Sequence, residues 1–437
     1  MDVTYIDVTF CNFVMEMRVL IVNTSERTGG AAIAANRLMN ALNHNGVEAR
    51  MLVRDRQTDD TEVSAIPQSW LLKAKFLWER GVIWLANGLS RNHLFQVDIA
   101  NAGTDITGMD VFKWTDVVHL HWTNQGFLSL KNLNRILTSG KPVVVTMHDQ
   151  WYYTGICHHS AGCGKYQSRC EKCPMLKNGG GVIDLAKRVY DRKRELYAGK
   201  NLTFVGCSKW ITDLARKSTL THGLPVTNIA NAIDNSVFCP ADQAEARKKL
   251  GLPADKRLLL FGARRITDEL KGFNYLAEAC DHLVNRHPDL ASQIEVVVLG
   301  GDAERVKSSL PLPVHALNYL SSESEIASIY NAVDLFVTPS LLENLPNTIA
   351  EAMSCGTPCV GFNVGGIPEM IDHQTNGYVA EYRNSVDFAD GIAWALDTTH
   401  HSSLREQAHK KALASYGETA VAQRYLDVYR TALKEKD

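Results

Sequence analysis

The chain of 437 residues lacks any long apolar run, and nowhere does it approach the roughly eighteen uninterrupted apolar residues of a membrane-crossing helix. At its start it also lacks a basic region, an apolar run and a small-residue cleavage site in that order. No secretory leader is read there, and a cytoplasmic protein is expected. Charge of one sign is missing as well: Lys and Arg total 46 against 48 for Asp and Glu. Without a basic excess, nucleic acid is not expected as a partner, although local patches remain open.

Length and apolar content are what the chain has. A hydrophobic share of 45% over 437 residues can fill two cores, so two domains are expected. The first sixteen residues precede a clean strand signal at Met17–Val22. Translation starts as readily at Met15 or Met17, and those residues are set aside from the fold.

Strands alternate with helical patterns in both halves. In the first half, strand Arg18–Val22 runs into Thr28, Gly29 and Gly30 and then a helix pattern from Ala31 to Leu42. Two glycines at such a turn either supply a positive φ or let a ligand approach the backbone, and alone they favour the plain turn. Strand Asp116–Trp122 carries His119 and His121 at alternate positions, hence on one face. Strand Lys141–Met147 delivers His148 and Asp149 to its C-terminal end, where open α/β sheets bind ligands. The second half repeats the scheme, with strands at Arg257–Gly262, Glu295–Gly301, His315–Leu320, Asp334–Thr338 and Pro358–Phe362. Each half has a glycine-bearing turn after its first strand. The expected fold is therefore α/β, two Rossmann-like doubly wound domains facing each other across a cleft.

The segment Thr338–Glu369 is the most informative. Its strand enters a loop ending at Pro346, and a short amphipathic helix follows that stops at Gly356. A helix N-terminus leaves backbone N–H groups without intrahelical partners and carries about half a positive charge. Leu345, Asn347 and Thr348 are thus placed to hold a phosphate without a basic side chain. Glu343 and Glu351 flank that point. Carboxylates beside a phosphate would repel it, so each is better suited to accepting hydrogen bonds from sugar or ribose hydroxyls. Gly365 and Gly366 let the backbone approach a ligand closely.

Two further segments stand out. Residues 69–95 interleave Trp70, Trp78 and Trp84 with Lys73, Lys75, Arg80 and Arg91, the pattern of a basic amphipathic helix that can lie on a membrane. A helix packing its aromatics on the domain core is the plainer reading and the one preferred. Four of the ten cysteines, Cys157, Cys163, Cys170 and Cys173, crowd into one short loop with His158 and His159. In a reducing compartment this reads first as a structural zinc site, with free thiols next and disulfides or an iron–sulfur cluster after them.

The order Glu343, Pro346-Asn347, Glu351, Cys355-Gly356-Thr357-Pro358, Gly365-Gly366-Ile367-Pro368-Glu369 and Asn376-Gly377 resembles the donor-binding half of retaining GT-B glycosyltransferases of family four. His148, Asp149 and Trp151 resemble the pattern of a subgroup that makes bacterial exopolysaccharide, colanic acid and O-antigen. The resemblance implies an N-terminal acceptor-binding domain over 17–235, completed by a C-terminal helix over 415–433, and a donor-binding domain over 236–414. It implies Lys271 with Arg264 or Arg265 as the clamp on the departing diphosphate, with a solvated basic loop as the plainer alternative. It further implies catalytic roles for His148, Glu343, Lys271 and Arg264. Donor contacts then come from Arg265, Asn344, Leu345, Asn347, Thr348, Glu351, Gly29 and Gly30, and acceptor-side contacts from His121, Asp149 and Trp151.

The implied reaction moves a sugar from a nucleoside diphosphate to a hydroxyl of a glycan or lipid-linked oligosaccharide, with retention and without a catalytic metal. Its place is the cytoplasm, at the inner face of the membrane. A GT-B epimerase or phosphorylase, or a non-catalytic scaffold that binds sugar nucleotides, is the alternative; fold alone does not choose among them.

Overall fold

The chain folds into two units, one running to Ala230 and taking in the chain again from Val421, the other comprising Asn231–Ala420. The computed structural model describes residues 17–320 and 322–434. The reading of residues 1–16 therefore lies outside the described residues.

The first unit is built on β1 (Arg18–Ser25), α1 (Gly30–His44), β2 (Glu48–Asp55), β3 (Val63–Ala65), α2 (Trp70–Ala86), β4 (Val117–Leu120), β5 (Val143–Met147), α3 (Leu185–Tyr197), β6 (Leu202–Gly206) and β7 (Val226–Asn228). Its seven strands lie in the order β3-β2-β1-β4-β5-β6-β7, and the pairings are parallel. Both faces of such a sheet are covered by helices. The strands accordingly read as nearly continuous apolar runs, and β4, β5 and β6 are buried at every position.

The second unit repeats this plan with β8 (Arg257–Arg265), α4 (Phe273–Arg286), β9 (Ile294–Gly301), β10 (Val314–Leu317), α5 (Glu323–Ala332), β11 (Leu335–Thr338), α6 (Asn347–Ser354), β12 (Cys359–Phe362) and β13 (Gly377–Ala380). Its six strands are ordered β10-β9-β8-β11-β12-β13, again with parallel pairings. The paired doubly wound sheets expected from the strand–helix alternation are present.

The last helix, α7 (Glu418–Lys434), belongs to the first unit from Val421 onward. Tyr425 and Tyr429 on it are buried and hydrogen-bond Thr146 at 2.8 Å and His119 at 2.7 Å. Polar links in an apolar interior fix the helix in one register, because a slipped one would strand these groups without partners.

One expectation is overturned in α2. Its aromatics do not pack on the core: Trp70 is 77% exposed and Trp78 65%, whereas Glu79 and Arg80 point inward and are buried. The physical reason is the charge cluster beneath the helix. Arg80 reaches Asp98 at 3.2 Å, and Glu79 accepts backbone N–H bonds from Ile99 and Ala100. Burial and the neighbouring Asp98 carboxylate push the Glu79 acid up, so it is held protonated.

Candidate functional site

Each sheet reverses its strand order once, between β1 and β4 in the first unit and between β8 and β11 in the second. At such a switch point the loops leaving the two strands diverge to opposite faces and open a crevice at the C-terminal edge, where ligands bind in open α/β sheets. Gly29, His121, Lys271 and Glu343 fall on these loops and Gly30 opens α1, while His148, Asp149 and Trp151 follow β5 and Glu351 lies on α6.

In the second unit, the end of β8 and the loop after it carry Arg264, Arg265, Asp268 and Lys271, which line an open polar hollow of about 320 Å³. Arg264 and Arg265 both end β8 exposed. Gly272 turns the chain back with φ 73°, and a Cβ there would stand 1.9 Å from the carbonyl oxygen of Pro339, so only glycine lets the two loops touch. Across that contact Lys271 Nζ donates to Glu343 Oε1 at 2.5 Å. The Glu343 charge raises the Lys271 pKa against the opposing effect of burial, so the lysine is cationic at neutral pH. Gly365, with φ 57°, meets the loop from the other side; a Cβ there would lie 1.7 Å from the Glu343 carbonyl oxygen.

Helix α6 begins after Pro346, with Leu345, Asn347 and Thr348 half-buried and Asn344 buried. Asn231 Nδ2 donates to Asn347 Oδ1 at 2.9 Å. Glu351, one turn on, is buried and accepts from the Tyr330 hydroxyl at 3.1 Å. Burial and the Glu351 charge push the Tyr330 phenol well up, so it stays a donor. Tyr330 and Asn231 escaped the sequence reading, since each lies on a separate element and carries no local motif. The structure brings Lys271, Glu343, Arg264 and Arg265 together around one pair of loops, with the start of α6 following directly.

In the first unit, Gly29 and Gly30 are exposed, Gly29 has φ 96°, and nothing lies within 4 Å of a Cβ built there. Earlier in the same loop, Glu26 is buried and ties down the neighbouring loop by accepting from the N–H groups of Gln57 at 2.6 Å and Thr58 at 2.9 Å. His148 sits half-buried at the end of β5, and its Nε2 meets His121 Nδ1 at 2.9 Å. The His121 ring lies tilted against that of His119, centroids 4.4 Å apart, and His119 bridges Tyr429 and Thr146. Burial pulls the His148 imidazole down to about 4 and that of His119 to about 3. Both rings are therefore neutral near pH 7, and the His121–His148 contact requires one ring to donate and the other to accept.

Of the three acceptor-side residues, Trp151 needs correction, Asp149 is half-buried and His121 is buried. Trp151 is 1% exposed, with its indole N–H bonded to Asp98 O at 2.9 Å and the Lys193 ammonium 3.4 Å above its ring. It is a core residue and has no surface left for a ligand. Asp149 accepts from Trp122 Nε1 at 2.8 Å, pairs with His158 Nδ1 at 2.7 Å and caps the Trp151 N–H at 2.9 Å. Burial opposes its charge, yet the His158 pair and these bonds hold it at about 2. His121 is buried behind His148. Of the three, His121 is the one that holds His148 in place.

Cys157, Cys163, Cys170 and Cys173 line one small cavity, with Tyr166, Met175 and Ala186. Burial raises the thiols of Cys157 and Cys170 to about 11 and that of Cys173 to about 12. Cys170 Sγ accepts from the Gly155 N–H at 3.2 Å. Among the described residues no three His, Cys, Asp or Glu side chains are placed to share one ion.

Comparison with known proteins bears on this geometry. Residues 255–398, which carry Lys271, Glu343 and Glu351, match the family model described as glycosyl transferases group 1. A D-inositol 3-phosphate glycosyltransferase of Thermobispora bispora is 29% identical over 51% of this chain and 55% of its own length. The chain spans about half the length of the curated relatives of this kind that it matches. An uncharacterised glycosyltransferase of Methanocaldococcus jannaschii is 24% identical over 80% of this chain and 93% of its own. Among solved structures, the sucrose-phosphate synthase of Thermosynechococcus elongatus superposes with a TM-score of 0.65 at 17% identity, covering 96% of this chain and all, 100%, of that one. Anabaena HepE in complex with UDP and glucose superposes with a TM-score of 0.59 at 16% identity, covering 95% and 100%. These structural likenesses establish the GT-B fold.

Proposed function

We propose that this chain is a glycosyltransferase that takes a sugar from a nucleoside-diphosphate donor and passes it to the hydroxyl of a glycan, with retention at the anomeric carbon. The observation that carries the reading is the Lys271–Glu343 pair beside the Arg264–Arg265 hollow, at the switch point of the second sheet. A diphosphate is the ligand that such a set of cations suits, and a carboxylate next to them needs a hydroxyl-rich partner.

In this reading the bond from the anomeric carbon to the diphosphate oxygen breaks, and a bond to the acceptor oxygen forms on the same face. The acceptor's proton goes to the departing phosphate. The charge left on the diphosphate is the main electrostatic cost, met by Lys271, by Arg264 or Arg265 and by the N-terminus of α6 without a divalent cation. Glu343 orients the sugar, Glu351 the ribose and His148 the transferred sugar, while Gly29 and Gly30 leave room for substrate.

The acceptor proposed is a lipid-linked oligosaccharide of bacterial surface polysaccharide synthesis, met at the cytoplasmic face of the membrane. The support is the resemblance around His148; no helix among the described residues is long and apolar enough to cross a membrane. UDP-sugars are the first donors to test, because HepE was solved with UDP-glucose. Replacing Lys271 or Glu343 by alanine should lower donor cleavage at least about 100-fold while the fold persists; undiminished cleavage would contradict the proposal.

A structural zinc on Cys157, Cys163, Cys170 and Cys173 is also proposed. It would need those side chains to turn into their shared cavity and shed their protons. One zinc per purified chain is the expected content, and none would leave the loop a thiol cluster.

A further inference from the structure

Helix α2 keeps Ile83 in the core, with Leu72 and Val82 against it, but turns most of its large apolar side chains outward. Its outward face repeats at heptad spacing through Trp70, Leu71, Leu77, Trp78, Trp84 and Leu85, with Leu77 65% and Leu85 63% exposed. Its inward face carries the buried Glu79–Arg80–Asp98 cluster. A helix that exposes six large apolar side chains on one face leaves a patch that is unfavourable in water. The arrangement suits a helix whose outer face is covered by something other than water.

Beyond the helix, Leu89 and Phe95 are exposed as well. The loop after Cys173 is tied to the helix end by Lys177, whose backbone N–H donates to Asn87 Oδ1 at 2.6 Å and whose Nζ donates to Gly88 O at 3.2 Å. That loop ends in Val182 and Ile183, 56% and 69% exposed.

Charge identifies the cover. Between residues 67 and 97 the only acidic side chain is Glu79, which is buried, while Lys73 and Arg91 are exposed. A second copy of this chain docking through the same face would set these cations against their own kind. An anionic bilayer would meet them with opposite charge and accept the tryptophans at its headgroup level. We propose that the outer face of α2, with Leu89, Phe95 and the Val182–Ile183 tip, docks on a bilayer surface containing anionic lipid. The inference deepens the lipid-linked acceptor reading, and rests on it only for its purpose.

The test is sedimentation of the full chain with phosphatidylcholine vesicles and with vesicles containing phosphatidylglycerol. Binding is expected to the anionic vesicles, to weaken with salt and to fall at least tenfold in Leu77→Glu/Trp78→Glu. Lys73→Ser and Arg91→Ser should each weaken it about fivefold. Donor cleavage by the Leu77→Glu/Trp78→Glu protein in solution should match the wild type, which reports folding and keeps this test separate from that of the transferase reading. Absence of vesicle binding would overturn the proposal. So would binding that survives the double substitution, or a concentration-dependent dimer that the same substitutions abolish.

Discussion

The ammonium of Lys271 and the carboxylate of Glu343 meet at 2.5 Å, joining the loop after β8 to the loop after β11. The two side chains are 35% and 15% exposed, so the pair lies at a rim open to solvent on one side. Each partner holds the other in place, and the Glu343 carboxylate keeps the lysine ionised, as the raised Lys271 pKa shows. An incoming diphosphate would draw the lysine away and leave the carboxylate to accept a sugar hydroxyl.

Lys271→Ala should lower kcat for transfer about 100- to 1,000-fold, the loss typical of one preorganised donor on a developing negative charge. Glu343→Gln keeps the shape and loses the charge, and should lower kcat less than Lys271→Ala. Steady-state kinetics with a cleaved donor measures both. Equal losses in KM alone would show that the pair acts in ground-state binding only.

Tyr330→Phe removes one hydrogen bond to Glu351 and leaves the ring packing intact. The expected result is a KM for donor raised about tenfold with kcat nearly unchanged, from the value of a hydrogen bond to a charged group. A fall in kcat at unchanged KM would move Glu351 from ribose binding to chemistry.

The doubly wound sheets, the loops at their C-terminal edges and the placement of the second unit's candidate residues were legible because they are carried by local signals: apolar runs, turn glycines and the start of a helix after Pro346. The first unit's site was less so. His148 could be read from its place at a strand end, but Trp151 looked like a ligand contact because a Trp after a site histidine says nothing of which way its ring turns. The Asp98 carbonyl and the Lys193 ammonium that hold the ring inward lie 53 and 42 residues away in sequence. Helix α2 failed for the same reason. Its periodicity was plain, but which face is inner was decided by Asp98, outside the helix.

The Trp151 correction has its own test. Trp151→Ala should destabilise the protein by about 3–5 kcal/mol, the cost of emptying a fully buried aromatic site, with little change in acceptor KM where the protein remains folded. Denaturant unfolding and acceptor titration measure the two. A stable variant with a raised acceptor KM would restore the ligand role.

His148 supplies a pH prediction. Its folded pKa of about 4 lies below the ordinary 6.5 because of burial, so its imidazole is neutral throughout the working range. The kcat/KM profile should show no inflection near 6.5 attributable to this residue. Between 6.5 and 4 the unfolded chain binds more protons at this position than the folded one, so stability should fall as pH drops through that window. His119, held at about 3, acts in the same direction. An inflection near 6.5 that disappears in His148→Gln would contradict the neutral assignment.

The most direct measurement of the central claim is nuclear magnetic resonance of the purified chain with UDP-, GDP- and dTDP-sugars, following slow donor cleavage and the anomer first released, with and without chelator. The account predicts cleavage of one donor to the retained anomer, unaffected by chelator and lost in Lys271→Ala and Glu343→Ala. Failure to bind or cleave any donor would contradict it and favour a GT-B scaffold without catalysis.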